Sequence, residues 1–292
     1  MELDSVKLKQ VKPAIADYIR KSQVLLKKSD IPDEKAVHDI RVLMKKSRSL
    51  LKLSACQTDN PYYERDIADL REIGRTLCPW RETFVYRKIL KELKKDFPDI
   101  FSGLQENSVL TLLLEKPKFI DEHPEEIMSA LGHIEVLLNK TGSRLRFQSM
   151  NMIDPQILIK ELDTTYKKVA KIYIGCRNNP KPETIHKFRQ KSKDFLYQLC
   201  IFRPLNPSSI KALEKKLETM TLNLGKFNDL AQIVKVLGYY HKDTNPPPMD
   251  ELILKIRDKQ DRYLSKVWTP AYQIFCPGQK LVNLLGFKLL VI

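Results

Sequence analysis

His38, Arg41 and Lys45 recur 148 residues later as His186, Arg189 and Lys193. Each set places a histidine three residues before an arginine and seven before a lysine. At 100° per residue the first set, continued by Arg48 and Lys52, falls within an arc of about 80° on one helix. A rise of ~1.5 Å per residue makes this a line of cations about 20 Å long. Val37, Ile40, Leu43, Met44, Leu50 and Leu51 occupy the adjoining face, so one edge packs while its neighbour presents charge. No carboxylate is interleaved among these five cations, and the line lacks the i,i+4 Glu–Lys pairs that soften an ordinary basic helix. Such a line suits the neutralisation of a polyanion by charge-assisted contacts. The second copy is shorter, with Leu196 and Cys200 where the first has Arg48 and Lys52, and with Tyr197 beside Lys193.

Other chemistries find less support. Neither histidine belongs to an HExxH or HxxxH pair, and no acidic cluster accompanies either, so no metal site is expected. His123, His133 and His241 have no counterparts and read as incidental. Only 9 glycines occur, with no GxGxxG or GxxxxGK[ST], which removes the Gly-rich phosphate cradles and argues against an all-β fold. Phosphoryl transfer normally needs carboxylate-bound Mg²⁺, and no paired acids lie beside the stripes. No catalytic residue and no cofactor is expected.

The 292 residues carry 51 Lys and Arg against 36 Asp and Glu, a net charge of +15. The excess is uneven: +7 over residues 1–98, −3 over 99–153, +8 over 154–240 and +3 thereafter. Two basic regions separated by an acidic one look like a polyanion footprint made twice. The five cysteines are scattered with no CxxC spacing, which points to a reducing, cytoplasmic setting rather than a disulfide framework or zinc knuckle. Met1–Lys7 lacks the pattern of a signal peptide. The apolar run 281–292 is too short for a membrane span and reads as a buried closing helix.

The elements that must hold the stripes repeat with them. Tyr18 and Pro32 recur as Tyr166 and Pro180, Asn60-Pro61 as Asn206-Pro207, and Leu77 as Leu224, all at offsets of 146 to 148 residues. The chain reads as an internal duplication: a first half over 5–150, a second over 154–270 and a closing segment over 271–292. Apolar spacing predicts helices over about 5–28, 33–54, 61–78, 80–96 and 124–150, then 155–177, 181–202, 207–225, 227–242 and 249–268. Asn179 followed by Pro180 predicts a helix N-cap with proline at the first helical position. The stretch 99–123 is irregular, and Val109–Leu114 reads as a short strand or loop. The expected architecture is all-α: two helical bundles related by a pseudo-twofold axis. Tyr18 and Tyr166 read as packing anchors rather than as phosphate donors.

At these residues the chain resembles a known family, the CHAD domain, named for a conserved histidine in an α-helical domain. The resemblance lies in Val37-His38-Asp39-Ile40-Arg41, followed by Lys45-Lys46-x-Arg48 and Leu50-Leu51. It continues in Ile185-His186-Lys187-Phe188-Arg189 with Lys193 and Tyr197, and in Leu224-Gly225-Lys226-Phe227-Asn228-Asp229-Leu230. Together these cover roughly residues 5–270. The first-half counterpart of the last element, Leu77-Cys78-Pro79-Trp80-Arg81-Glu82-Thr83, departs from the pattern, and Asp194 and Leu196 stand where the family often has Arg. The resemblance implies a helical fold with a central basic groove or pore that binds inorganic polyphosphate, with an association with polyphosphate granules. It further implies that His38, Arg41, Lys45, His186, Arg189 and Lys193 face that ligand. Lys46, Arg48 and Lys52, from the same motif and stripe, complete the candidate binding set.

Two alternatives share the charge pattern. A nucleic-acid groove would interleave aromatic platforms with its cations, whereas the first stripe has none and Phe188 and Phe195 fall on the packing side of theirs. A polyphosphate-hydrolysing or phosphoryl-transfer enzyme would need the missing acids.

Overall fold

A computed structural model describes residues 11–57, 61–104, 110, 124–148, 154–240 and 247–286. The described residues form helices joined by turns, with no strand among them. In chain order the helices are α1 (Val11–Leu26), α2 (Glu34–Ser54), α3 (Tyr63–Thr76), α4 (Cys78–Asp96) and α5 (Pro98–Ser102). Next come α6 (Pro124–Phe147), α7 (Pro155–Asn178), α8 (Pro182–Leu199), α9 (Pro207–Tyr240), α10 (Pro247–Phe275) and α11 (Leu281–Leu285). Short 3₁₀ turns at Ala55–Gln57 and Cys200–Phe202 follow the two helices that carry the repeated motif.

Local chemistry sets most of the boundaries. The Asp33 carboxylate accepts from the Ala36 amide at 2.7 Å and starts α2, while Asp154 does the same for the Gln156 amide at 2.8 Å in α7. Proline stands in the first turn of α4, α5, α7 and α8, where its missing N–H costs nothing. Asn179 does not cap α8 as the Asn-Pro pair suggested. It ends α7, its amide donating to Gly175 O, and Lys181 with Pro182 opens α8 two residues later. The expected break near residue 226 is absent too, since α9 runs unbroken through Gly225. The break between α3 and α4 does occur, beside Pro79, whose ring and missing N–H interrupt the ladder. The last long helix passes residue 270 and continues to Phe275, with Pro270 inside it. The Val109–Leu114 segment lies outside the described residues except for Leu110, which is buried.

In the first half α1, α2, α3 and α6 pack around one another, and in the second α7, α8, α9 and α10 do so. A continuous core spans both, built on residues such as Ile40, Met44, Leu50, Phe188, Phe195 and Phe275. Phe275 has the rings of Tyr166, Tyr173, Phe188 and Phe195 around it at 5.7–6.3 Å. Tyr166 donates to Ile274 O at 2.8 Å and sits 3 % exposed in this core, the anchoring role its position suggested. A second cluster, including Leu93, Phe101, Ile233 and Leu252, joins α4 and α5 to the distal parts of α9 and α10. The two halves meet chiefly where α2 crosses α8. There Ser49 donates to Asp194 O at 2.8 Å and Gln198 donates to Ser49 O at 3.1 Å. This crossing brings the two motif-bearing helices together. No described helix is long and apolar enough to cross a membrane.

Candidate functional site

Packing of α2 against α8 lays cations of both motifs side by side. Lys45 lies between Arg41 and Arg48 of its own helix and Arg189 of α8, and burial with these neighbours pushes its ammonium down to about 8. Lys193 is lowered in the same way, by burial first and then by Arg189 and Lys46. Arg48 is lowered by burial, with Arg71, Arg41 and Arg75 adding to the effect and Asp194 opposing it. The Nε–H groups of Arg48 and Arg189 are buried and find no acceptor within the protein. Buried donors without acceptors are costly, and so is a half-buried cluster in which cations outnumber acids. An anion placed here recovers both costs.

The remaining predicted residues divide. Arg41 donates to Gly74 O, which ties α2 to α3 while leaving its charge in the cluster. Lys46 turns off the stripe, its Nζ 5.7 Å from the Tyr18 ring centre and 5.9 Å from that of Tyr197. Lys193 approaches the same Tyr197 ring at 5.8 Å, and burial raises that phenol to about 12. Lys52, at the far end of the line, meets the Asp194 carboxylate at 3.4 Å, an acid that Lys191 also approaches at 3.8 Å. The Asp that replaces a cation in the second motif therefore closes off one end of the first stripe.

The two histidines occupy matched positions in different surroundings. His38 lines a recess at the start of α2 with Asp33, Glu34, Lys35 and Arg81. Burial lowers its affinity for a proton, and Arg81, Lys45 and Arg41 lower it further against the pull of Asp39. His186 has both ring nitrogens engaged: Nδ1 lies 2.6 Å from Asn228 Oδ1, and Nε2 lies 2.6 Å from Gln190 Nε2. A ring with its proton on Nδ1 satisfies both neighbours, donating to Asn228 and accepting from Gln190. Asn228 on α9 and Arg81 on α4 occupy corresponding places in the third motif, so each histidine meets the same motif position through a different residue.

Several residues of the cluster lie outside the predicted set. Arg71 and Arg75, one turn apart on α3, extend the positive field past Arg48, and Arg81 adds to it from α4. Their spacing of four residues was the available signal, but α3 also carries acids and gives no uninterrupted stripe. Arg189 lies against α9 at Gly225, its Nε 3.4 Å from where a Cβ would stand. Asp229, one turn further on, faces Arg189, Arg81 and Lys45.

Helices alone build the described molecule, and the two that carry the repeated His–Arg–Lys motif meet along a strip of half-buried cations. The CHAD domain family model matches residues 14–237, and the chain belongs to that family. The fold is also similar to that described as "Crystal structure of the CHAD domain from the plant Ricinus communis", with a TM-score of 0.62 at 18 % identity, covering 98 % of this chain and 94 % of that one. No curated protein matches the sequence.

Proposed function

We propose that this chain binds inorganic polyphosphate along the strip where α2 and α8 meet, in a groove shared by two duplicated halves, and performs no catalysis. One observation carries the reading. Lys45, Arg48, Arg189 and Lys193 come from two helices, the Arg189 charge lowers the proton affinity of both lysines, and two guanidinium Nε atoms of the set have no partner. A linear chain of phosphates offers one charge per unit and only oxygen acceptors, so it matches a track of donors with nothing to stack on. The aromatic rings at the strip, Tyr18 and Tyr197, are engaged by Lys46 and Lys193, which favours phosphate over bases. A cytoplasmic setting with recruitment to polyphosphate granules follows from the same reading.

The test is competition binding at fixed salt, with labelled long-chain polyphosphate displaced by unlabelled polyphosphate, single-stranded DNA or duplex DNA. Polyphosphate should compete at the lowest concentration per phosphate. Equal or better competition by single-stranded DNA would replace this reading with a nucleic-acid one. Turnover of polyphosphate with Mg²⁺ would replace it with an enzyme.

A further inference from the structure

The cation cluster contains an acid of its own. Gly225 and Asp229 stand one turn apart on α9 and share a face, and the Arg189 side chain lies across that face, 3.4 Å from the Cβ position of Gly225. The preceding residue, Asn228, holds His186 at 2.6 Å, which fixes the rotation of this turn against α8. Asp229 thereby faces Arg189 of α8, Arg81 of α4 and Lys45 of α2, with the Asn228 amide and the Tyr86 ring of α4 beside it. Burial raises its carboxyl above the usual carboxylate range, outweighing the pull of Arg189 and Arg81. Glu82, at the matching place on α4, instead lies on the exposed side and accepts from Cys78. The first half thus turns its acid outward while the second half turns its acid into the cations.

We propose that Asp229 is an internal counter-anion of the strip, opposing part of the charge that an incoming phosphate chain would otherwise meet and so setting the affinity of the site. This rests on reading the strip as an anion site. An anionic ligand brought beside Asp229 also favours its protonation, which couples binding to proton uptake below neutral pH. The charged and titratable groups involved are Lys45, Arg81, Tyr86, Arg189 and Asp229 itself, with His38 contributing from the neighbouring recess.

Two readouts separate this inference from the functional reading. Competitive acetylation followed by mass spectrometry gives the titration midpoint of Lys45 without any phosphate ligand. Asp229→Asn should move that midpoint down by about half a pH unit or more, because Lys45 loses an opposite charge, whereas Glu82→Gln should leave it in place. With long-chain polyphosphate at pH 7.5, Asp229→Asn should bind roughly tenfold more tightly than wild type, about 1.4 kcal/mol. An unmoved Lys45 midpoint, or weaker binding by a folded Asp229→Asn variant, would overturn the counter-anion. A moved midpoint in a protein that fails to bind polyphosphate would uphold the counter-anion and remove the functional reading instead. If Asp229→Asn does not fold, Asp229→Ser and a pH series in a His38→Gln background decide. Affinity there should rise as pH falls from 7 to 5, and a flat profile would overturn the proposal.

Discussion

Lys45 shows how an ordinary side chain acquires a special role from its neighbours. On an isolated helix it would be one lysine among many, but burial beside Arg41, Arg189 and Arg48 brings its ammonium to about 8. The sign is simple: below that pH the group is a cation and attracts phosphate, and above it the charge is lost. Polyphosphate affinity should therefore decline as pH rises through about 8, and Lys45→Arg should remove that decline because guanidinium stays charged. Isothermal titration at pH 7, 8 and 9 checks this. Lys45→Met should weaken binding by roughly 10- to 100-fold, the worth of one charge-assisted contact, with the fold kept as judged by circular dichroism. Arg41→Ala is a less clean experiment, since Arg41 also holds Gly74 O and so joins α2 to α3. The histidines, alike in sequence, should differ in behaviour. His38 lines an open recess, while His186 is spanned by Asn228 and Gln190.

At the scale of elements, three polar features fasten the helices around the crossing to one another. Asp66 of α3 is 1 % exposed and accepts from Arg144 of α6 at 2.7 Å and from Gln148 at 2.9 Å, with Asp69 also bound to Arg144. Asp69 keeps its ion pair with Arg144 when Asp66 is removed, but Arg144 Nε and Gln148 Nε2 lose their acceptor, so Asp66→Ala should cost about 1–3 kcal/mol in urea unfolding. In the second half, the buried Glu214 of α9 meets Arg203 at 2.7 Å, an acid near the start of the third helix satisfied by a different arginine. The closing helix α11 ends at Gly286 with φ of 68°, where a Cβ would stand 2.7 Å from Asn206 Nδ2 and 2.8 Å from Ser209 Oγ. Asn206 also donates to Leu285 O at 3.1 Å, fastening α11 to the first turn of α9. Gly286→Ala should cost at least about 1–2 kcal/mol through the left-handed backbone alone, read as a fall in melting temperature.

Over the whole molecule, charge and packing converge on the crossing of α2 and α8. Cations converge there from α2, α3, α4 and α8, so polyphosphate binding should release several counterions at once. Log K should fall steeply and nearly linearly with log[salt], by the same reasoning that holds for nucleic acids. A slope that reports only one or two contacts would mean that the two helices do not act as one surface. A continuous core lies beneath the crossing and joins the two helices to the elements on either side.

Much of this was legible in the residues themselves. Helical spacing, the His–Arg–Lys motif, the basic line on α2 and its shorter partner on α8 are local patterns, and a helix carries its periodicity wherever it packs. Position relative to another helix is not local. Sequence alone could not place Asp194 against Lys52, turn Lys46 toward Tyr18 and Tyr197, or add Arg71, Arg75 and Arg81 to the cluster. Nor could it distinguish His38 from His186, since their difference lies in what α4 and α9 present to them. The helix boundaries were short-range competitions: Pro79 breaks the α3–α4 run as expected, while α9 runs through Gly225, against expectation, because nothing there removes an N–H. Residue type and spacing thus determined which groups can carry charge. Tertiary packing decided which of those charges are buried together and left without a partner, because desolvation and Coulomb energy depend on distances through space, which the order of residues along the chain does not specify.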